Sequence, residues 1–221
     1  MNVLGLIEQY EIPLLAIGAA PPPAPRWNQD WFPRLDAAAA YAVVRNLRPR
    51  RIVEVGCGHS TRFLARAVAD GGLDTRITAI DPKPRASLAG LGIEWIASPV
   101  QRVAAFPPLG DGDILFIDSS HQLKPGSDVE FLLKAVLPML PAGVRVHFHD
   151  IFLPDDYPPA WAWRLYNEQA AVASLIESNL FKVDFASHAL VSRSPEKISG
   201  VLARLPLVEG AIESSLWLTR N

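Results

Sequence analysis

The 221-residue chain has a single cysteine, Cys57, and only two methionines. One thiol cannot close a disulfide within the chain, which excludes a cystine-stapled scaffold and is compatible with a reducing compartment. An excess of one charge is missing too. The 21 Lys and Arg residues against 23 Asp and Glu leave a formal net charge of -2, so no global basic field exists to attract a nucleic-acid backbone. Long hydrophobic runs are scarce. Val3 to Ala20 is fairly apolar, but Glu8 and Glu11 interrupt it and no basic stretch precedes it, so neither a signal peptide nor a bilayer span is expected. These absences describe a soluble, cytoplasmic protein with neither nucleic acid nor membrane as its partner. Arg45, Arg48, Arg50 and Arg51 do cluster, but they precede the first strand and read as a solvated helix end.

What the chain has is enough apolar content, 49% of residues, to bury one full core. Residues 1–34 form an N-terminal extension with the proline run Pro21-Pro22-Pro23-Ala24-Pro25, and residues 35–221 form one α/β domain. In the extension, Trp27, Trp31 and Phe32 either cap the mouth of a site or dock the extension on the core. Strands are expected at 51–55, 76–80, 92–97, 113–117, 144–149, 182–188 and 214–219. Helices are expected at 35–47, 60–69, 127–140 and 161–180. Such alternation builds a doubly wound, mostly parallel seven-stranded sheet covered on both faces. Ligands of such sheets bind beyond the carboxyl ends of the strands.

The residues at those ends are polar. The first strand closes on Glu54-Val55-Gly56-Cys57-Gly58-His59-Ser60-Thr61. Gly56 and Gly58 allow a tight turn and close approach of a ligand. A dinucleotide fingerprint needs a third glycine where Thr61 stands, and Glu54 suits an ammonium better than a pyrophosphate, which disfavours an NAD-linked oxidoreductase and favours S-adenosylmethionine. Asp81, ending the second strand, can accept hydrogen bonds from both ribose hydroxyls or serve as a turn aspartate before Pro82. Ser60, Cys57 and, after the third strand, Ser98 complete the candidate cofactor contacts. Cys57 reads as a small pocket-lining residue, since no activating base accompanies it.

Asp118 ends the fourth strand, and His149-Asp150 end the fifth. If those strands are adjacent, the carboxylates of Asp118 and Asp150 meet and need a cation or a proton between them. Oxygen ligands favour Mg²⁺, Mn²⁺ or Ca²⁺, and the His149 imidazole extends the choice to Fe, Mn or Zn. The alternative is that Asp118 caps the next segment and Asp150 accepts from backbone amides. His121, three residues beyond Asp118, is a candidate general base or a surface loop histidine. His147 reads as a core residue, His59 as part of the cofactor loop and His188 as part of the sixth strand. Asp155, Asp156, Tyr157, Trp161 and Trp163 follow the fifth strand, where an acceptor lid could sit.

At Glu54-Val-Gly-Cys-Gly-His-Ser-Thr61, Phe116-Ile-Asp118-Ser-Ser-His121, His149-Asp150-Ile-Phe-Leu-Pro154 with Tyr157-Pro158, Asn167-Glu168-Gln169 and Ser215-Leu-Trp-Leu218, the chain resembles the class I S-adenosylmethionine-dependent methyltransferases, and more narrowly their methyltransferase-24 domain type. The resemblance implies a Rossmann-like fold, S-adenosylmethionine held by the glycine loop, and O-methylation of a small-molecule hydroxyl. It also implies a Mg²⁺ or Mn²⁺ site at Asp118 and Asp150, with His121 as the base. Asp118 would then serve both catalysis and cofactor. Relatives commonly have a carboxylate where His149 stands, and catechol-type enzymes an asparagine where Ile151 stands. A cofactor-binding protein of the same fold without transferase activity is the alternative, and a homo-oligomer is compatible with all of this.

Overall fold

Short runs of β-branched and aromatic residues bounded by Gly, Pro and Asp build the sheet. The structure, a computed structural model, describes residues 1–221. In chain order its elements are helices α1 (Val3–Gln9), α2 (Glu11–Leu15) and α3 (Arg34–Leu47), strand β1 (Arg51–Val55), α4 (His59–Asp70), β2 (Arg76–Ile80), β3 (Glu94–Ile96) and β4 (Ile114–Ile117). There follow α5 (Asp128–Phe131), β5 (Arg145–Phe148), α6 (Gln169–Glu177), β6 (Phe181–Ala186), α7 (Ser187–Arg193), α8 (Gly200–Arg204) and β7 (Leu216–Arg220). The sheet runs β3-β2-β1-β4-β5-β7-β6, with β7 antiparallel to both neighbours. It is a Rossmann-like, mostly parallel seven-stranded sheet. No helix is long and apolar enough to cross a membrane.

Period-two alternation sends neighbouring side chains to opposite faces. Ile52, Ile114, Phe116 and Trp217 join a core formed with α1, α3, α4 and α8, whereas Val53, Val55, Leu115, Ile117, Val146 and Leu218 join the core on the other face. Ala37 to Ala40 are fully buried, and these small side chains let α3 lie close to its neighbours. The N-terminal extension shares this core: Val3, Ile7, Leu14, Ile17, Trp27 and Phe32 are buried in it. Trp27 packs on Phe63 with ring centroids 5.0 Å apart. Trp31 instead stays half exposed at a cavity mouth.

Four expectations change. The helix expected over 161–180 is broken: Pro159–Arg164 is a 3₁₀ turn, Leu165 is left-handed at φ 57°, and α6 begins only at Gln169. The break is stabilised by the Asn167 amide, which pairs with the backbone of Leu123 at both N and O. Residues 128–139 form one rod, but it widens to a π-helix over Leu132–Val136 and tightens to 3₁₀ over Leu137–Met139. Pro138 has no N–H to continue the α-ladder and its ring crowds the preceding turn. The strand expected over 92–97 shortens to Glu94–Ile96 at the sheet edge. His188 lies in α7, not in a strand, with Nε2 3.0 Å from Asp155 Oδ2.

One buried ion pair fastens the start of α3 to the segment leading into β7. Glu213, 4% exposed, accepts from Arg34 Nε at 3.0 Å, Arg34 Nη2 at 3.1 Å and Leu35 N at 2.8 Å. Removing one partner of such a pair leaves a desolvated charge. Glu213→Ala should lower unfolding free energy by about 3 kcal/mol in a urea titration. A change below about 0.5 kcal/mol would mean the pair is solvated in solution.

Candidate active site

The turn after β1 is forced by contact with β4. Gly56 has φ 83°, and a Cβ there would lie 1.7 Å from the Asp118 carbonyl oxygen, so only glycine fits. Its N–H donates to Ile80 O at 3.0 Å, which joins the tips of β1 and β2. Gly58 is less constrained, since the nearest atom to a Cβ there would be Arg85 Cβ at 3.4 Å. Thr61, standing where a third glycine was absent, accepts from Gly58 N at 2.9 Å and starts α4. Beneath the loop Glu54 is fully buried; Oε1 accepts from Ser60 Oγ at 2.6 Å, and Oε2 has no partner. Burial pushes its pKa up to about 8, against the pull of the Ser60 and Thr61 hydroxyls.

Asp81 uses both carboxylate oxygens on the loop backbone, accepting from Cys57 N at 2.8 Å and Lys83 N at 2.6 Å. The turn role is therefore real, and each oxygen keeps a second lone pair toward the cavity. Cys57 is buried, and burial together with the charges of Glu54, Asp81 and Asp118 pushes its thiol far up, so no thiolate forms. A cavity of about 450 Å³ opens above these residues; Gly56, Cys57, Gly58, Ser60, Asp81 and Asp118 line it. Ser98 does not. Its hydroxyl turns to Pro99 O at 3.1 Å, and the next residues, Pro99, Val100 and Gln101, form the wall instead. His59 lines the cavity, with its pKa lowered to about 4 by burial and by Arg62 and Arg26.

The parallel pairing of β4 with β5, in register Ile117↔Phe148, sets Asp118 beside His149. His121 is no surface residue: it is 2% exposed and held at φ 58°. Its Nε2 lies 3.3 Å from Asp118 Oδ1 and 3.6 Å from Asp150 Oδ2. His149 Nδ1 lies 3.5 Å from Asp118 Oδ1 and 3.4 Å from Asp150 Oδ1. Each imidazole turns its other nitrogen to a buried carboxylate, His121 Nδ1 to Glu168 Oε1 at 2.7 Å and His149 Nε2 to Asp36 Oδ2 at 3.2 Å. Asp36 also accepts from Ser214 N at 2.9 Å and Ser215 N at 3.0 Å, and Asp150 Oδ1 accepts from Ser214 Oγ at 3.1 Å.

Electrostatics within this cluster are mutual. Burial lowers the pKa of both histidines, but the carboxylates outweigh it: Glu168 foremost raises His121, and Asp150 and Asp118 raise His149, well above the ordinary value. Conversely, His149 and His121 hold Asp118 well below the usual carboxylate range despite its desolvation. His147 is the core residue expected from its position, stacked 3.7 Å from Phe116 with Nε2 2.8 Å from Ser215 Oγ, and burial lowers its pKa.

Known proteins share part of this chain's sequence pattern and its fold. Residues 53–151 match the methyltransferase-24 family model, described as a methyltransferase domain. That match takes in 99 of the 221 residues, less than half of the chain. No curated protein sequence matches the chain. Among solved structures, the methyltransferase PaMTH1 of Podospora anserina, bound to S-adenosylhomocysteine, is 16% identical over 100% of this chain and 88% of its own, with TM-score 0.56. An O-methyltransferase of Bacillus cereus, also in complex with S-adenosylhomocysteine, is 14% identical over 100% and 91%, with TM-score 0.51. TomG of Streptomyces achromogenes, an O-methyltransferase of tomaymycin synthesis in complex with S-adenosylmethionine, is 16% identical over 100% and 89%, with TM-score 0.50. At these identities the likeness shows the fold.

Sequence reasoning missed Asp36, Ser214 and Arg164, and it assigned no role to Glu168. Asp36 carried one signal, a lone acid among alanines at the start of a helix. Glu168 lay inside a recognised motif, but nothing local ties it to His121, 47 residues away.

The raised Glu54 pKa has a testable sign. Between pH 4.5 and about 8 folded Glu54 holds a proton that the unfolded chain has released, so its contribution to stability falls as pH rises through that window. Glu54→Gln cannot ionise and should gain on the order of 3 kcal/mol relative to the parent between pH 5 and pH 8.5, at about 1.4 kcal/mol per pKa unit. Calorimetric Tm values at the two pH values check this. An equal Tm difference at both would contradict a buried, neutral carboxyl.

Proposed function

We propose that the protein is a cytoplasmic S-adenosylmethionine-dependent methyltransferase that methylates a hydroxyl of a small-molecule acceptor. One observation carries the reading: a single cavity is lined both by Gly56, Gly58 and Asp81 and by Asp118, His121, His149 and Asp150. Glu54, buried behind the cavity lining with one unsatisfied oxygen, is assigned to the ammonium of the cofactor's methionine part, whose positive charge would draw off its proton, and Asp81 is assigned to the ribose. S-adenosylmethionine held there would supply an electrophilic methyl for the acceptor oxygen, with the S–CH₃ electron pair kept on sulfur and S-adenosylhomocysteine as the leaving product. Holding nucleophile and methyl in line is the larger share of the rate enhancement.

His121 takes the hydroxyl proton once it has shed its own, a loss that the carboxylates around it shift well above the ordinary histidine range. Glu168 on its Nδ1 orients the ring, so Nε2 is the nitrogen presented to Asp118 and Asp150. The donor chemistry around these groups also fits a divalent ion. The imidazole–carboxylate separations of 3.3–3.6 Å are long for hydrogen bonds. The Asp36 contact behind His149 is the kind that orients a ligating histidine. No group of three of these side chains is placed to ligate one ion in this structure. A divalent ion held by Asp118, His149 and Asp150 would lower the pKa of the acceptor hydroxyl. The imidazole shifts preference from Mg²⁺ toward Mn²⁺ and other nitrogen-accepting ions.

His121→Ala should reduce S-adenosylhomocysteine release from S-adenosylmethionine, assayed with a panel of hydroxylated acceptors, by about 100-fold or more while leaving calorimetric affinity for S-adenosylhomocysteine unchanged. Equal turnover would remove His121 from the chemistry. Affinity lost in Glu54→Ala and Asp81→Ala would establish the cofactor end. Cofactor binding with no turnover on any acceptor would favour a binding protein of the same fold. Chelator-stripped protein that recovers turnover with Mn²⁺ would support the ion site.

A further inference from the structure

The acceptor end of the cavity contains a cation with nothing to pair with. Arg164 closes the 3₁₀ turn Pro159–Arg164 and lines the cavity with Trp31, Phe32, His121, Trp161 and Tyr166. Its Nη1 donates to Tyr166 Oη at 3.2 Å, and its Nε is shielded from water with no partner. No carboxylate lies within ion-pair distance of Arg164, and the acids of the cluster behind it are committed elsewhere. Asp118 and Asp150 face His121 and His149, Glu168 faces His121, and Asp155 faces His188 and Arg193. A guanidinium partly withdrawn from water and left without an anion is costly unless a ligand supplies one.

Its surroundings hold it in place and select for shape. The guanidinium carbon sits 4.0 Å from the Trp161 ring centroid and 5.5 Å from that of Tyr166, so aromatic faces fix its plane. Gln122 Nε2 donates to the Arg164 carbonyl at 3.0 Å, tethering the turn to the residue next to His121. Tyr166 bridges the two functions. Its ring centroid is 4.5 Å from that of His121, and the same ring lies beside Arg164. A flat molecule laid along Tyr166 would therefore reach Arg164 at one end and His121 at the other. A planar fork of N–H donors matches a carboxylate. One unpaired cation beside an acid-rich cluster matches a single negative charge better than a doubly charged group.

We propose that the acceptor is a hydroxylated aromatic carboxylic acid, its carboxylate held by Arg164 and its hydroxyl directed to His121. This rests on the methyltransferase reading above and narrows its substrate class. The test uses the full chain saturated with S-adenosylhomocysteine, titrated calorimetrically with a panel of mono- and dihydroxylated benzoic and cinnamic acids and with their methyl esters. Methyl transfer to the same compounds from S-adenosylmethionine is then followed. At least one acid should bind, with its ester weaker by about 10-fold or more, as expected for loss of a charge-assisted pair. Arg164→Gln should raise KM for the acid by a similar factor, change kcat little and remove the preference for acid over ester, while Arg164→Lys recovers part of it.

Unchanged affinity of Arg164→Gln for S-adenosylhomocysteine shows that the fold is intact. Binding of S-adenosylhomocysteine without binding of any acid, or acid and ester used equally by the parent protein, overturns the proposal. Failure to bind S-adenosylhomocysteine overturns the methyltransferase reading on which it rests.

Discussion

Four carboxylates and two imidazoles, enclosed where β4 and β5 end, impose the constraint on which the rest of the molecule depends. Asp36, Glu168, His121, His149 and Asp150 are each 6% exposed or less, and Asp118 joins them from the cavity wall. Charges withdrawn this far from water persist only when each is paired and hydrogen-bonded. The members come from separate parts of the chain: Asp36 from α3, Asp118 and His121 from the loop after β4, His149-Asp150 from the turn after β5, and Glu168 from the N-cap of α6. Satisfying them requires all of these elements to arrive together.

That requirement explains features with no other evident purpose. The N-terminal helices pack into the same core as the sheet, so α3 can deliver Asp36 beneath His149. Ser214 and Ser215, just before β7, donate backbone N–H groups to Asp36, which couples the last strand to the cluster as well. His121 and Asp150 both adopt left-handed backbone conformations, at φ 58° and 55°. Such conformations are uncommon for residues other than glycine and are maintained when surrounding contacts over-determine them. At the glycine turn the restriction is steric. Gly56 abuts the Asp118 carbonyl, so the glycine loop and the acidic cluster share one residue as a boundary.

Legibility in the sequence followed distance along the chain. The loop Glu54 to Thr61 and the pairs Asp118/His121 and His149/Asp150 could be read because the end of a parallel strand is a local feature with a known position in the sheet. Ser98 was misplaced by this rule, since β3 is a short edge strand and the cavity wall begins one residue later. Arg164 was hidden by the helical spacing of residues 161–180, which gave no sign of the break at Leu165.

By itself the amino-acid order determined the alternating strands and helices, the glycine turn with its buried acid, and the acids at the strand ends. These depend on period, turn chemistry and side-chain volume over a few residues. Only the tertiary structure decided that His121 is buried against Glu168, that Asp36 supports His149 from 113 positions away, and that Arg164 is left without an anion. The physical reason is that ion pairing and desolvation are set by proximity in space, and no local pattern encodes which distant side chains will meet when water is excluded.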